Sequence, residues 1–180
     1  MLNRRNWVVS IIAMLLVVSL AACTASTVSV PNRPIDVSLD TALAAQNKLP
    51  ELLIMGSVEW SESEFSSLLS VLLEQNSGDE NPVTGVHVWF EPNNQVVIRV
   101  ALVDGLVPLG NSVNLAGTVS ADAGKFSVNV SALGIGGASV SGDLLNVVSA
   151  QINAALAGLD LGVPVNVTTD TGTVKVSLGM

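Results

Sequence analysis

A chain of 180 residues with 49% hydrophobic and 12% charged side chains has apolar material for one ordinary domain, which argues against wholesale disorder. Aromatic residues make up 3% and tyrosine is absent, so a core must be built from Val, Leu, Ile and Ala. The formal net charge of −8 argues against a nucleic-acid partner and against electrostatic attraction to anionic headgroups.

The chain opens in three parts. Arg4 and Arg5 supply positive charge, and Trp7 to Val18 then run apolar except for Ser10. That run of about 12 residues suits a signal-peptide core, whereas a membrane span needs about 20. Leu20-Ala21-Ala22-Cys23 follows. A lipoprotein signal peptidase needs small residues before the cut and a cysteine after it, because diacylglycerol is first attached to that thiol. The segment resembles the bacterial lipobox at every position. The resemblance implies that residues 1–22 direct export and are removed. Cys23 then becomes a diacylglyceryl-cysteine that holds the protein on the extracytoplasmic face of the cell membrane. Thr24 in place of Asp implies, by resemblance to the sorting rules of diderm bacteria, the outer membrane where there is one. The competing reading is an uncleaved anchor with an incidental cysteine. Acyl chains contribute roughly 0.8 kcal/mol per buried methylene, so two or three of them anchor stably. Cys23 is the only cysteine, so the exported chain has no disulfide. Loss of Arg4 and Arg5 takes the charge to about −10.

Residues 23–34 read as a lipidated tether, small and polar with Pro31 and Pro34, and residues 35–180 as a single domain. Ser38 caps a short predicted helix through Lys48, which Leu49-Pro50 ends. Leu52 to Trp60 reads as a strand. Ser61-Glu62-Ser63-Glu64 is a capping box, followed by Phe65, Leu68, Leu69, Leu72 and Leu73 on one apolar helical face. Asn76 to Pro82 reads as a polar loop.

Three hairpins are predicted. Val86–Glu91 turns through Pro92-Asn93-Asn94 into Gln95–Val103. Strands led by Val113, Leu115, Gly117, Val119 and Ala121, and by Phe126, Val128, Val130 and Ala132, alternate apolar and polar across Asp122-Ala123-Gly124. Val163, Val165 and Val167 pair with Val174, Val176 and Leu178 across Asp170-Thr171-Gly172. A helix from Asp143 through Leu145, Val148, Ile152, Ala155 and Leu156 precedes the last hairpin, and Gly158 stops it. The expected fold is α+β: a highly curved antiparallel meander of six or seven strands on two or three helices.

Catalytic chemistry is hard to assemble. His87 is the sole histidine, it sits in a presumed strand, and no nucleophile elbow is present, so no enzyme is expected. One histidine and one lipidated cysteine exclude the familiar zinc sets, and the Asp79-Glu80 pair reads as a solvated loop. No cofactor is expected. Leu133-Gly134-Ile135-Gly136-Gly137 lacks the Lys-Ser or Lys-Thr of a phosphate loop and reads as a tight link from strand to helix.

The apolar face carries the functional expectation. Small aliphatic residues on a curved sheet can leave a groove for acyl chains, and Trp60, Phe65, Leu69, Leu72, Trp89 and Ile152 are the expected lining. The order of elements supports this by resemblance. The Ser61–Glu64 capped helix with Leu68-Leu69, the meandering hairpins, the glycine segment, the Asp143–Leu156 helix and the final hairpin together resemble small membrane-anchored bacterial proteins of the YpmS-like and mannan-elongation lipoprotein types. Those look like relatives of the tubular lipid-binding, BPI-like architecture. The resemblance spans Val58 to Leu178, implies a bound lipid or other apolar ligand, and carries over no catalytic residue. The alternative expectation is a closed domain that docks a membrane or envelope protein through an edge strand or exposed face.

Overall fold

The computed structural model describes residues 28–76, 83–104, 110–135, 138–140, 143–157 and 161–179. The signal segment, Cys23, most of the loop expected at Asn76–Pro82, Gly136-Gly137 and Gly158 lie outside the described residues. So do the side chains of Asp143, Leu145, Val148 and Ala155.

Helix α1 spans Leu39–Asn47. Ser38 is extended, and its Oγ accepts the Thr41 N–H at 3.2 Å, as its position predicts. Pro50 then starts a second helix, α2, over Leu49–Met55, in the first turn where a missing N–H costs no helical bond. Gly56, left-handed at φ 76, ends α2. The strand expected over Leu52–Trp60 is therefore corrected: it is helical to Met55, and β1 covers only Ser57–Ser61. A short apolar run has no decisive period, and here the proline and the glycine punctuate it as a helix.

Helix α3, Glu62–Asn76, begins at the expected box. Ser61 N–H donates to Glu64 Oε2 at 2.9 Å, and Glu64 N–H donates to Ser61 Oγ at 3.3 Å. Phe65, Leu68 and Leu69 are buried, with Leu72 and Leu73 packed at the margin.

The chain is α+β, with antiparallel strands and four helices among the described residues. Strands β2 (Val83–Glu91), β3 (Gln95–Leu102), β4 (Ser112–Asp122), β5 (Lys125–Ile135) and β6 (Ala138–Val140) form a meander in that order. Helix α4 (Asp143–Leu156) follows. The last hairpin, β7 (Val165–Asp170) and β8 (Thr173–Leu178), does not extend the meander. It pairs with β1 in a second sheet of order β1-β8-β7. The glycine segment also differs from expectation, because β5 runs on through Ile135 and returns as β6 before the helix. Three residues are too few for β6 to show an alternation.

A bulge sits where Ala116 pairs with Ala132 but Gly117 pairs with Val130. Ser131 is the extra residue, so the inward set shifts from Val130 to Leu133 instead of Ala132. A side chain at Gly117 would place its first carbon 2.4 Å from the Asn129 carbonyl oxygen, so only glycine admits this approach.

β2 is an edge strand, and α3 covers its outward groups. Ser66 Oγ accepts the Val88 N–H at 2.8 Å, Glu62 Oε1 accepts the Phe90 N–H at 2.9 Å, and Ser70 Oγ donates to the Val86 carbonyl at 3.4 Å. The match is geometric. Four residues of helix rise about 6 Å and two residues of strand about 6.7 Å, so Glu62, Ser66 and Ser70 track Phe90, Val88 and Val86. The helix thus supplies partners that another chain would otherwise find. Gly172, in the β7–β8 turn, donates to the Phe90 carbonyl and accepts from the Glu62 N–H, which fastens the small sheet to the same edge.

Candidate functional site

Among the described residues, five of the six expected lining residues pack together. Trp60, Phe65, Leu69 and Ile152 are buried in one continuous core, and Leu72 lies at its margin. Phe65 is central, its ring centroid 6.4 Å from Trp60, 5.2 Å from Phe90 and 6.4 Å from Phe126. Trp60 also spends its one polar group inside, donating its indole N–H to the Ala45 carbonyl at 3.0 Å. These side chains pack against one another between α3 and the sheets.

Trp89 is set apart from the other five. His87, Trp89 and Glu91 alternate with Val86, Val88 and Phe90, so they point to the opposite face of β2. There the Trp89 indole N–H donates to the Arg33 carbonyl at 3.0 Å, and the Arg99 guanidinium lies 5.7 Å from the ring centre. His87 packs edge-on against Trp89. Partial burial, reinforced by the charge of Arg99, lowers the His87 imidazole below its ordinary value.

Arg33, near the end of the expected tether, is bound to the body of the fold. Its Nη2 meets Glu62 Oε1 at 2.7 Å, Glu91 Oε1 at 3.0 Å and the Phe90 carbonyl at 3.1 Å. The hydrogen bond to Glu62 raises the guanidinium above its already high ordinary value. Beyond it, Asp36 N–H donates to Ser63 Oγ and Ser38 N–H to Ser67 Oγ, which lays the chain along α3 into α1. At the other end of α1, Lys48 Nζ pairs with Glu64 Oε1 at 2.6 Å. Burial pushes the Glu64 carboxyl up, but the bonds from Lys48 and Ser61 outweigh it and hold the group below its ordinary value.

Surface clefts open among the described residues, and neither of the following two is lined by any of the six. One, of about 380 Å³, lies between Ser70, Leu73 and Glu74 of α3 and Val83–Val86 of β2. The other, of about 430 Å³ and mostly apolar, is lined by Gln46, Leu49, Pro50, Leu52, Leu53 and Leu161. Helices α1 and α2 also expose large apolar side chains: Leu39, Leu43, Leu53, Ile54 and Met55, with Ile54 82% exposed. This is the surface that sequence reasoning missed. Among the described residues no cluster of three or more His, Cys, Asp or Glu could hold a metal, and no helix is long and apolar enough to cross a membrane.

No family model, no curated protein and no solved structure matches this chain.

Proposed function

We propose that the chain is a membrane-anchored extracytoplasmic lipoprotein whose domain works through its exterior, by docking, and not by enclosing a lipid. The observation that supports the choice is the packed core: Phe65 is buried with Trp60, Phe90 and Phe126 against it. The exposed apolar face of α1 and α2 supports the same reading, because apolar side chains grouped on a surface mark an interaction site. The export segment and Cys23 supply the anchor.

The anchor is tested in cells fed an alkyne-bearing fatty acid. Wild-type chain is expected to take up the label and to sediment with membranes. Cys23→Ser is expected to lose all label and to persist at precursor mass, since the lipid transfer precedes the cut. Equal labelling of the two chains would contradict the anchor.

A further inference from the structure

We propose that the α1–α2 face is a second membrane contact, with Leu53, Ile54 and Met55 seated in the leaflet that carries the anchor. This rests on the reading of Cys23 as lipidated and names the docking partner of that face.

Four observations lead there. The first is exposure without cover: Leu53, Ile54 and Met55 are 68%, 82% and 75% exposed at the tip of a seven-residue helix. An arrangement of three consecutive exposed large apolar residues is costly in water and favourable at a lipid interface. The second is continuity. Lys48, between α1 and α2, keeps right-handed helical angles, so Leu39, Leu43, Pro50, Leu53 and Ile54 follow one another at helical spacings. The mostly apolar cleft beside Leu53 extends the same surface.

The third is reach. Arg33 is fixed at the start of α3, beside the C-terminal end of β1. The tip of α2 lies at the other end of β1, where Leu178 N–H donates to the Gly56 carbonyl. Five strand residues span about 17 Å. The chain from Cys23 to Arg33 spans up to about 33 Å when extended. The tether is therefore long enough to let the α2 tip reach the leaflet, and short enough to keep that tip at high local concentration beside it.

The fourth is charge. Lys48, the one cation of α1 and α2 and their link among the described residues, is engaged by Glu64, and the exposed acids Asp40 and Glu51 would be repelled by anionic lipid. The contact is consequently apolar, with acyl chains and not headgroup charge as the recognised chemistry.

The test uses the full lipidated chain in phosphatidylcholine vesicles, with Ile54→Cys carrying an environment-sensitive fluorophore. Cys23 is blocked by its thioether. Asn129→Cys, on the exposed side of β5, serves as the control. The probe at position 54 is expected to shift to the blue and to be quenched by spin-labelled acyl chains at least about twofold more than the control, with no effect of high salt. A chain that floats with the vesicles while its probe at position 54 stays in water overturns the inference and leaves the anchor intact. So does a shielded probe that acyl chains do not quench, which would assign the face to a second protein. A chain that does not float at all overturns the anchor and the inference together.

Discussion

Phe65→Ala is expected to destabilise the domain by about 4 kcal/mol, read as a lower urea midpoint at unchanged slope. Phe65 is buried on α3, and the three aromatic rings around it come from strands of both sheets. Its removal costs the transfer energy of the ring and leaves a cavity that the three neighbouring strands β1, β2 and β5 must collapse into. The same substitution in a lipid carrier would enlarge a pocket already present, cost little, and increase lipid uptake. A loss under about 1 kcal/mol would therefore contradict the packed core.

Glu62→Ala is expected to cost about 3 kcal/mol, although the residue is charged and sits at a helix start. Glu62 is 7% exposed; its carboxylate accepts from Arg33 and from the Phe90 N–H on the β2 edge, and its own N–H donates to the turn carbonyl of Gly172. The alanine keeps only the last. The Phe90 N–H is left buried without its acceptor, while Arg33, a third exposed, retains Glu91 and water. Most of the loss is thus assigned to the uncovered strand edge and less to the ion pair. Glu62→Gln, which preserves an acceptor for Phe90, is expected to cost about 1 kcal/mol in the same urea titration. Equal losses for the two variants would show that charge pairing, not edge coverage, is what Glu62 provides. Loss of edge cover should also make the alanine variant aggregate sooner on storage.

What could be read from the sequence was local. The Ser61–Glu64 box, the Ser38 cap and the alternation of β4 and β5 each lie within a few residues, so their physics is complete without the rest of the chain. The α+β class followed from these. The division into two sheets did not, because β1 finds its partner in β8 at the other end of the domain. Helix α2 was hidden by an apolar run whose Leu53, Ile54 and Met55 face outward, against the usual burial of such residues. Trp89 was misplaced for a related reason. Trp89 and Phe90 are both buried, one beside Arg33 and Arg99 and the other in the core, so the burial alternation of β2 breaks at Trp89 although the side chains still alternate in direction. The Arg33 clamp joins residues 29 positions apart and more, beyond any local pattern. Of the expected lining, sequence reasoning identified mainly residues that fill the interior. How tightly they pack depends on how α3 seats against both sheets, which no local pattern records.

The central claim is that this domain holds no lipid inside and works from its surface. The most direct measurement is the native mass of residues 24–180, made in bacteria without the export segment, together with lipid extraction of the purified protein. The expected result is the mass of the polypeptide alone, unchanged on titration with monomeric free fatty acid. A lipid that co-purifies at one per chain, and that a Leu69→Trp substitution expels, would contradict the account and restore the carrier.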